Sequence, residues 1–302
     1  LTKMCGSGMK ATMLVHDMLL AGSCNVGLAG GMESMSNAPY VLTRARGGYR
    51  LGHGQAFDHM FLDGLEDAYE GKLMGYFADL AAAEFGIARE RQDAYAAESV
   101  RRAQHAVASG AFREEIVPVA IPGRQGEKVI SDDETPGTCD IAKIPKLKPA
   151  FTKDGSITPA NASSISDGAA ALVMMRESEA LRRGITPLAR ILSHATHAQQ
   201  PGRFPTAPAP AIRRALERAG WGVGDVDLFE INEAFAVVTL LAMDELGLPA
   251  EVVNVNGGAC AMGHPVGATG ARILVTLIHA LRARGLRRGL ASLCIGGGEA
   301  TA

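Results

Sequence analysis

Two thiols, one imidazole and one carboxamide stand where side chains can do chemistry. Cys5 lies in Cys5-Gly6-Ser7-Gly8, directly before a helical pattern. The unsatisfied N–H groups and positive dipole end at a helix start favour a thiolate, the form in which cysteine is a nucleophile. A buried structural thiol is the alternative reading. Cys294 opens Cys294-Ile295-Gly296-Gly297-Gly298 at the end of an apolar run, beside glycines whose N–H groups can approach a substrate oxygen. His264 sits in Gly263-His264-Pro265-Val266-Gly267, a constrained loop before another helix and a fitting place for proton exchange. The other seven histidines, His16, His53, His59, His105, His194, His197 and His279, have no comparable setting. Asn232, in Asn232-Glu233-Ala234-Phe235-Ala236, either caps the helix that follows or positions a water or donor for an oxyanion.

A rival reading begins at the same place. Gly6-Ser7-Gly8-Met9-Lys10-Ala11 satisfies G-x-G-x-x-A, and Glu33 lies near the spacing of a ribose-binding acid. That motif needs a strand immediately before its glycines, and it gives no reason for the groups around His264 and Cys294.

The elements that must position these residues show an internal repetition. Apolar Met9, Met13 and Leu14 predict a helix from Cys5 to about Leu20, followed by a strand over Asn25 to Ala29 that ends at Gly30-Gly31. Near the C-terminus Gly267 to Gly270 opens a second helix, Ala271 to Ala283, and a strand from Gly289 to Leu293 runs into Gly296 to Gly298. Two such blocks imply a duplicated α/β architecture whose ends are neighbours in space. Between them lie loops around Arg44 to His53, an amphipathic helix from Arg89 to Ser109, and a stretch rich in Pro, Gly and acids from Pro122 to Pro149. This middle texture reads as an inserted loop domain. An apolar strand over Asp167 to Met175 returns to the first domain, and Pro187 to Ile191 is expected to start the second as a strand.

Composition bounds the function class. The 302 residues are 47% hydrophobic and 21% charged, with a formal net charge of -2, which suits a globular α/β protein and excludes a broad nucleic-acid or anionic-membrane footprint. Five widely spaced cysteines with no C-x-x-C pair indicate neither a disulfide framework nor a zinc site, and point to a reducing compartment. No apolar run approaches the roughly 18 residues of a membrane helix. The chain opens Leu1-Thr2-Lys3 directly before a glycine-rich motif, from which a shortened N-terminus is expected.

Taken in order, the motifs resemble those of the thiolase family. Cys5 to Met9 is similar to its nucleophile motif, Gly30-Gly31-Met32-Glu33-Ser34-Met35-Ser36 to the segment ending the next strand, and Asn232 to Ala236 to its N-E-A-F block. Gly263-His264-Pro265 and Cys294 to Gly298 resemble its two C-terminal signatures. The resemblance implies thiolase-like duplicated α/β domains, mixed sheets with helices on both faces, and an inserted loop domain. The implied divisions are an incomplete N-terminal domain over 1–35 and 166–186, the loop domain over 36–165, and a C-terminal domain over 187–302. The family has further units before the nucleophile motif and beyond the last glycines, so an apolar edge of the first sheet is expected to be exposed.

It also implies an activity, the reversible condensation of two acetyl-CoA to acetoacetyl-CoA and CoA, with a broader 3-ketoacyl-CoA thiolase as the alternative. By this resemblance Cys5 carries the acyl group, His264 helps deprotonate it, and Cys294 is the acid/base toward the second acetyl-CoA. Asn232 holds a water against the enolate oxygen, and Gly296 contributes a backbone donor. Ser163, Met74, Ala234 and Phe235 would line the pantetheine and acyl site, with Lys143 and Lys146 near the nucleotide end or on a solvated face. CoA thioesters are then substrates, no cofactor or metal is needed, and the implied setting is a cytoplasmic homo-oligomer, tetramer or dimer, in fatty-acid and lipid metabolism. A nicotinamide-dependent oxidoreductase and a non-catalytic acyl-CoA-binding relative remain the readings from other classes.

Overall fold

The computed structural model describes residues 1–124 and 126–302. A 3-10 turn at Met4–Gly6 leads into helix α1, Ser7–Leu20, and strand β1, Val26–Ser34. The middle of the chain holds short strands β2, Tyr40–Val41, and β3, Phe57–Asp58, then helices α2, Met74–Glu84, and α3, Arg89–Ser109. A hairpin of β4, Val119–Gly123, and β5, Gly126–Ile130, and the short helix α4, Glu134–Thr138, follow. Strand β6, Asp167–Met175, helix α5, Glu177–Arg182, strand β7, Thr196–Ala198, helix α6, Pro208–Ala219, and strand β8, Leu228–Ile231, come next. The chain closes with helices α7, Ala236–Leu246, α8, Ala259–Met262, and α9, Thr269–Ala283, and strands β9, Gly289–Ile295, and β10, Glu299–Thr301.

Both predicted helix-then-strand blocks are present, as α1–β1 and α9–β9. β1 pairs antiparallel with β6 in continuous register from Val26 opposite Met175 to Ser34 opposite Asp167, so it runs through Gly30 and Gly31 instead of ending there. One face of this pair packs on α1 and α9. The other carries Leu28, Met32 and Val173 exposed. The second sheet has the order β7-β10-β9-β8 and is mixed, because β8 and β9 are parallel while β10 is antiparallel to both its neighbours. β8 is buried at every position, as a strand covered on both faces must be.

The two blocks touch where each helix carries a glycine. A Cβ on Gly8 would stand 2.7 Å from the Ala271 amide nitrogen, and one on Gly270 would stand 2.8 Å from Cβ of Met9. This approach of backbones sets the N-terminal end of α1 against that of α9, and Met9, Met13, Ile273, Leu277 and Leu293 seal it as one apolar cluster. In a second cluster Phe77, Ile157, Phe204, Phe235 and Leu241 pack with Cys294.

Between the blocks, α3 spans the predicted residues and ends at Gly110 in the left-handed region, φ 74°. One expected strand is absent. Residues 187–191 are irregular, since the sheet edge offers them no ladder partner and β7 begins only at Thr196. Among the described residues no helix is long and apolar enough to cross a membrane.

Candidate active site

Cys5 is presented on the tight turn before α1. Met4 adopts a left-handed backbone, φ 44°, unusual for a residue with a Cβ, and the turn is tied by Ser7 Oγ donating to Met4 O at 2.8 Å and accepting from Lys3 N at 2.8 Å. Lys3 in turn pairs with Glu299 on β10, which fixes the turn to the second sheet. Gly6 lets Ile295 approach, so the turn rests on the end of β9. The backbone amides of Gly296 and of Cys5 itself lie near the Cys5 sulfur and act to favour its thiolate. Two amides beside a thiol can serve as donors to an acyl oxyanion formed there.

Burial nonetheless pushes the Cys5 thiol up to about 11, against the two amide contacts and with a small addition from Glu33. Burial and the positive charge of Arg272 push His264 down to about 3. The resting pair is therefore neutral thiol and neutral imidazole, not thiolate and imidazolium. Cys294, buried at the end of β9, is raised well above the ordinary thiol range by burial and by the proximity of Cys5. The two thiols thus share one electrostatic environment, and both rest protonated.

His264 follows Gly263, whose φ of 88° only glycine adopts freely, and the loop is held by Gly267 N donating to Glu33 Oε2 at 2.9 Å. Glu33 is therefore engaged in bracing the histidine loop. Together with the 3-10 turn, not a strand, before Gly6, this removes the dinucleotide reading of Gly6 to Ala11. The ring's tautomer follows from Thr269. Its hydroxyl, 2.6 Å from His264 Nδ1, donates its single proton to Pro265 O at 2.9 Å, so it accepts from Nδ1–H. His264 Nε2 is then an unprotonated lone pair, buried and without a protein partner.

Asn232 is 1% exposed, and neither its Oδ1 nor its Nδ2 has a protein partner. It does not cap a helix, because α7 starts at Ala236 with Phe235 in the cap position. A buried carboxamide with both ends free is built to hold a small polar molecule. Its neighbour Glu233 does the bracing: Tyr95 Oη, Ser99 Oγ, Asn254 Nδ2 and the Cys260 amide all donate to its carboxylate at 2.7–3.0 Å. This network ties the 232–235 segment to α3 and to α8, which leads into the His264 loop.

Ser163, Ala234 and Phe235 do come together. Ser163 donates from both N and Oγ to Ala234 O, at 3.1 and 3.0 Å, and Ala162 bridges to Phe235. Met74 packs on the same cluster as Cys294, its sulfur 3.1 Å from where a Cβ on Gly296 would be. Lys143 and Lys146 are exposed on a 3-10 segment, Ile141–Lys146, and Lys143 pairs with Asp140 at 3.3 Å. Thr269, Glu233 and Tyr95 are parts of the site that motif reading passed over. The acid at the second place of Asn232-Glu233 was the only signal for any of them.

Comparison with known proteins agrees with this geometry. The thiolase N-terminal domain matches residues 1–178 and the thiolase C-terminal domain residues 185–302. An acetyl-CoA acetyltransferase of Escherichia coli (strain K12) is 51% identical over 302 residues, covering 99% of this chain and 77% of that protein. A probable acetyl-CoA acetyltransferase of Dictyostelium discoideum is 47% identical over 303 residues, covering 100% of this chain and 73% of that protein. The crystal structure of the Bacillus anthracis acetyl-CoA acetyltransferase superimposes with a TM-score of 0.96 at 44% identity, covering 100% of this chain and 76% of that one.

Proposed function

The chain belongs to the thiolase family, and from that premise we propose that it is an acetyl-CoA C-acetyltransferase working through an acyl group on Cys5. The observation that carries the reading is the placing of Cys5 on a turn that packs on the end of β9, beside the Gly296 amide and near enough to Cys294 to raise that second thiol.

The neutral resting groups serve both directions. In cleavage, His264 Nε2 takes the Cys5 proton as the sulfur attacks the keto carbonyl of acetoacetyl-CoA, and the N–H groups of Cys5 and Gly296 hold the oxyanion. The carbon–carbon bond then breaks, and the enolate of acetyl-CoA leaves with its oxygen stabilised by His264 and by a water on Asn232. Cys294, protonated at rest, gives its proton to the enolate carbon. Its thiolate next takes the proton from incoming CoA, whose sulfur attacks acetyl-Cys5, and His264 returns the first proton to Cys5. Condensation is the reverse, in which the departing CoA thiolate takes the Cys294 proton and leaves Cys294 ready as the base.

On this reading CoA thioesters are substrates, and Ser163, Met74, Ala234 and Phe235 surround the acyl and pantetheine portions. Lys143 and Lys146 would stand at the nucleotide end. Residues 1–35 with 166–186, 36–165, and 187–302 form the N-terminal, loop and C-terminal units. A cytoplasmic homo-oligomer in fatty-acid metabolism, tetramer or dimer, is the corresponding setting, and the bacterial relatives support the compartment. The test is mass spectrometry after incubation with acetyl-CoA, on the native protein, Cys5→Ser and Cys294→Ser. An acetyl adduct on Cys5 is expected in the native protein and in Cys294→Ser; an adduct that forms elsewhere overturns the mechanism.

A further inference from the structure

Away from the thiols, α1 carries a second group of chemically competent side chains. His16 and Asp17, near its C-terminal end, face His194, which lies 177 positions further along in the segment entering β7. One donor atom from each of the three lies within 4.8 Å of the others. His194 Nε2 is 2.8 Å and His16 Nδ1 3.4 Å from the same oxygen, Asp17 Oδ1. The two rings meet edge to face, with centroids 5.2 Å apart and planes at 87°.

We propose that His16, Asp17 and His194 form a binding site for a divalent transition-metal ion of the zinc type, closed by water and clamping α1 to the strand entry of the second sheet. Bonds of about 2.0–2.1 Å in a tetrahedral set hold donors roughly 3.3 Å apart. The 3.4 Å separation already meets this, and the 2.8 Å one needs an opening of about half an ångström, which a side-chain rotation supplies. Both imidazoles approach one carboxylate oxygen, which can accept from two donors, and the same three atoms stand close enough to ligate one cation between them. Two imidazoles and a carboxylate select zinc, cobalt or nickel over magnesium or calcium, which take oxygen ligands.

The frame is already rigid. His16 and Asp17 stand on a continuous helix, while His194 O accepts from Arg218 at 2.6 Å and Ala195 exchanges two backbone hydrogen bonds with Ala302, at 2.9 and 3.0 Å. Asp17 is half exposed, which leaves an entry path and room for water. No sequence pattern announces the site, since the third ligand is contributed by a distant segment.

Cobalt(II) titrated into chelator-treated protein tests this, with the absorption spectrum separating nitrogen and oxygen ligation from a thiolate band at Cys5 or Cys294. One equivalent should bind without a thiolate band and raise Tm by a few degrees. Affinity should fall about 100-fold in His16→Ala, in His194→Gln and in Asp17→Asn, each shown to be folded by circular dichroism. No saturable binding by the native protein, binding that the three variants leave unchanged, or a spectrum dominated by thiolate each overturns the site.

Discussion

Thr269 decides what His264 can do. Its hydroxyl places the ring proton on Nδ1 and leaves Nε2 bare, so it positions the base without touching substrate. Thr269→Val keeps the shape and removes the acceptor. The turnover number is expected to fall roughly 10- to 100-fold with KM little changed, the size seen when a group that orients a catalytic histidine is lost. Thr269→Ser should restore most of the activity. If Thr269→Val and Thr269→Ser lose activity equally, the residue acts by packing and not through the tautomer. At this scale Cys5, Cys294 and His264 were legible in sequence because glycines gather around groups that backbone must approach. Thr269 and Glu233 were not, since a hydroxyl in a helix start and an acid in an apolar block acquire meaning only when a loop folds onto them. The cap role considered for Asn232 failed for the same reason: whether a carboxamide caps or holds a ligand depends on where the helix begins.

Helices α1 and α9 succeed as a pair because each carries a glycine at the crossing. Gly8→Ala puts a methyl 2.7 Å from the Ala271 nitrogen, in backbone that cannot swing aside as a side chain would. Overpacking of this kind costs about 1–3 kcal/mol. The shift it forces is one turn from Cys5, so urea unfolding should show the lost stability while the acetylation rate of Cys5 falls as well. Wild-type acetylation at reduced stability would mean that the turn is held by Lys3, Ser7 and Ile295 alone. Element identities were readable wherever period and punctuation agreed, as in α3, bounded by an apolar stripe and Gly110. Residues 187–191 show the limit, because an apolar run is a strand only if another strand accepts its hydrogen bonds. The exposed residues Leu28, Met32 and Val173 stand on a face of the β1–β6 pair, not along its edge.

Across the whole molecule, one cationic side chain, Arg272, answers to three acids drawn from distant parts of the chain, Glu230, Glu115 and Asp133. Glu230 on β8 is 2% exposed and lies 4.0 Å from Arg272 on α9, while half-buried Glu115 accepts from Thr276 at 3.3 Å. Burial outweighs the attraction of Arg272, so Glu230 is pushed up to about 8 and Glu115 to about 7. Arg272 also helps keep His264 neutral, which couples this charge to the site. From pH 4.5 to 8 the unfolded chain has lost the Glu230 proton and the folded protein keeps it, so the folded state binds more protons and stability falls as pH rises. For Glu230 the loss is on the order of 5 kcal/mol. His264 acts on the other flank: its folded value is depressed, so stability is lost as pH falls from 6.5 toward 3. The two windows overlap between pH 4.5 and 6.5, where the contributions oppose one another, and with Glu115 adding to the loss from Glu230 stability should be highest near the acid end of that overlap. Glu230→Gln keeps the shape and cannot ionise, so it should remove the larger share of the decline between pH 5 and 8, leave the share that Glu115 contributes up to about pH 7, and leave the acid flank unchanged. Denaturant unfolding at several pH values reads this directly, and parallel curves for the native protein and Glu230→Gln would show that Glu230 shares its proton with the unfolded chain at an ordinary carboxylate value.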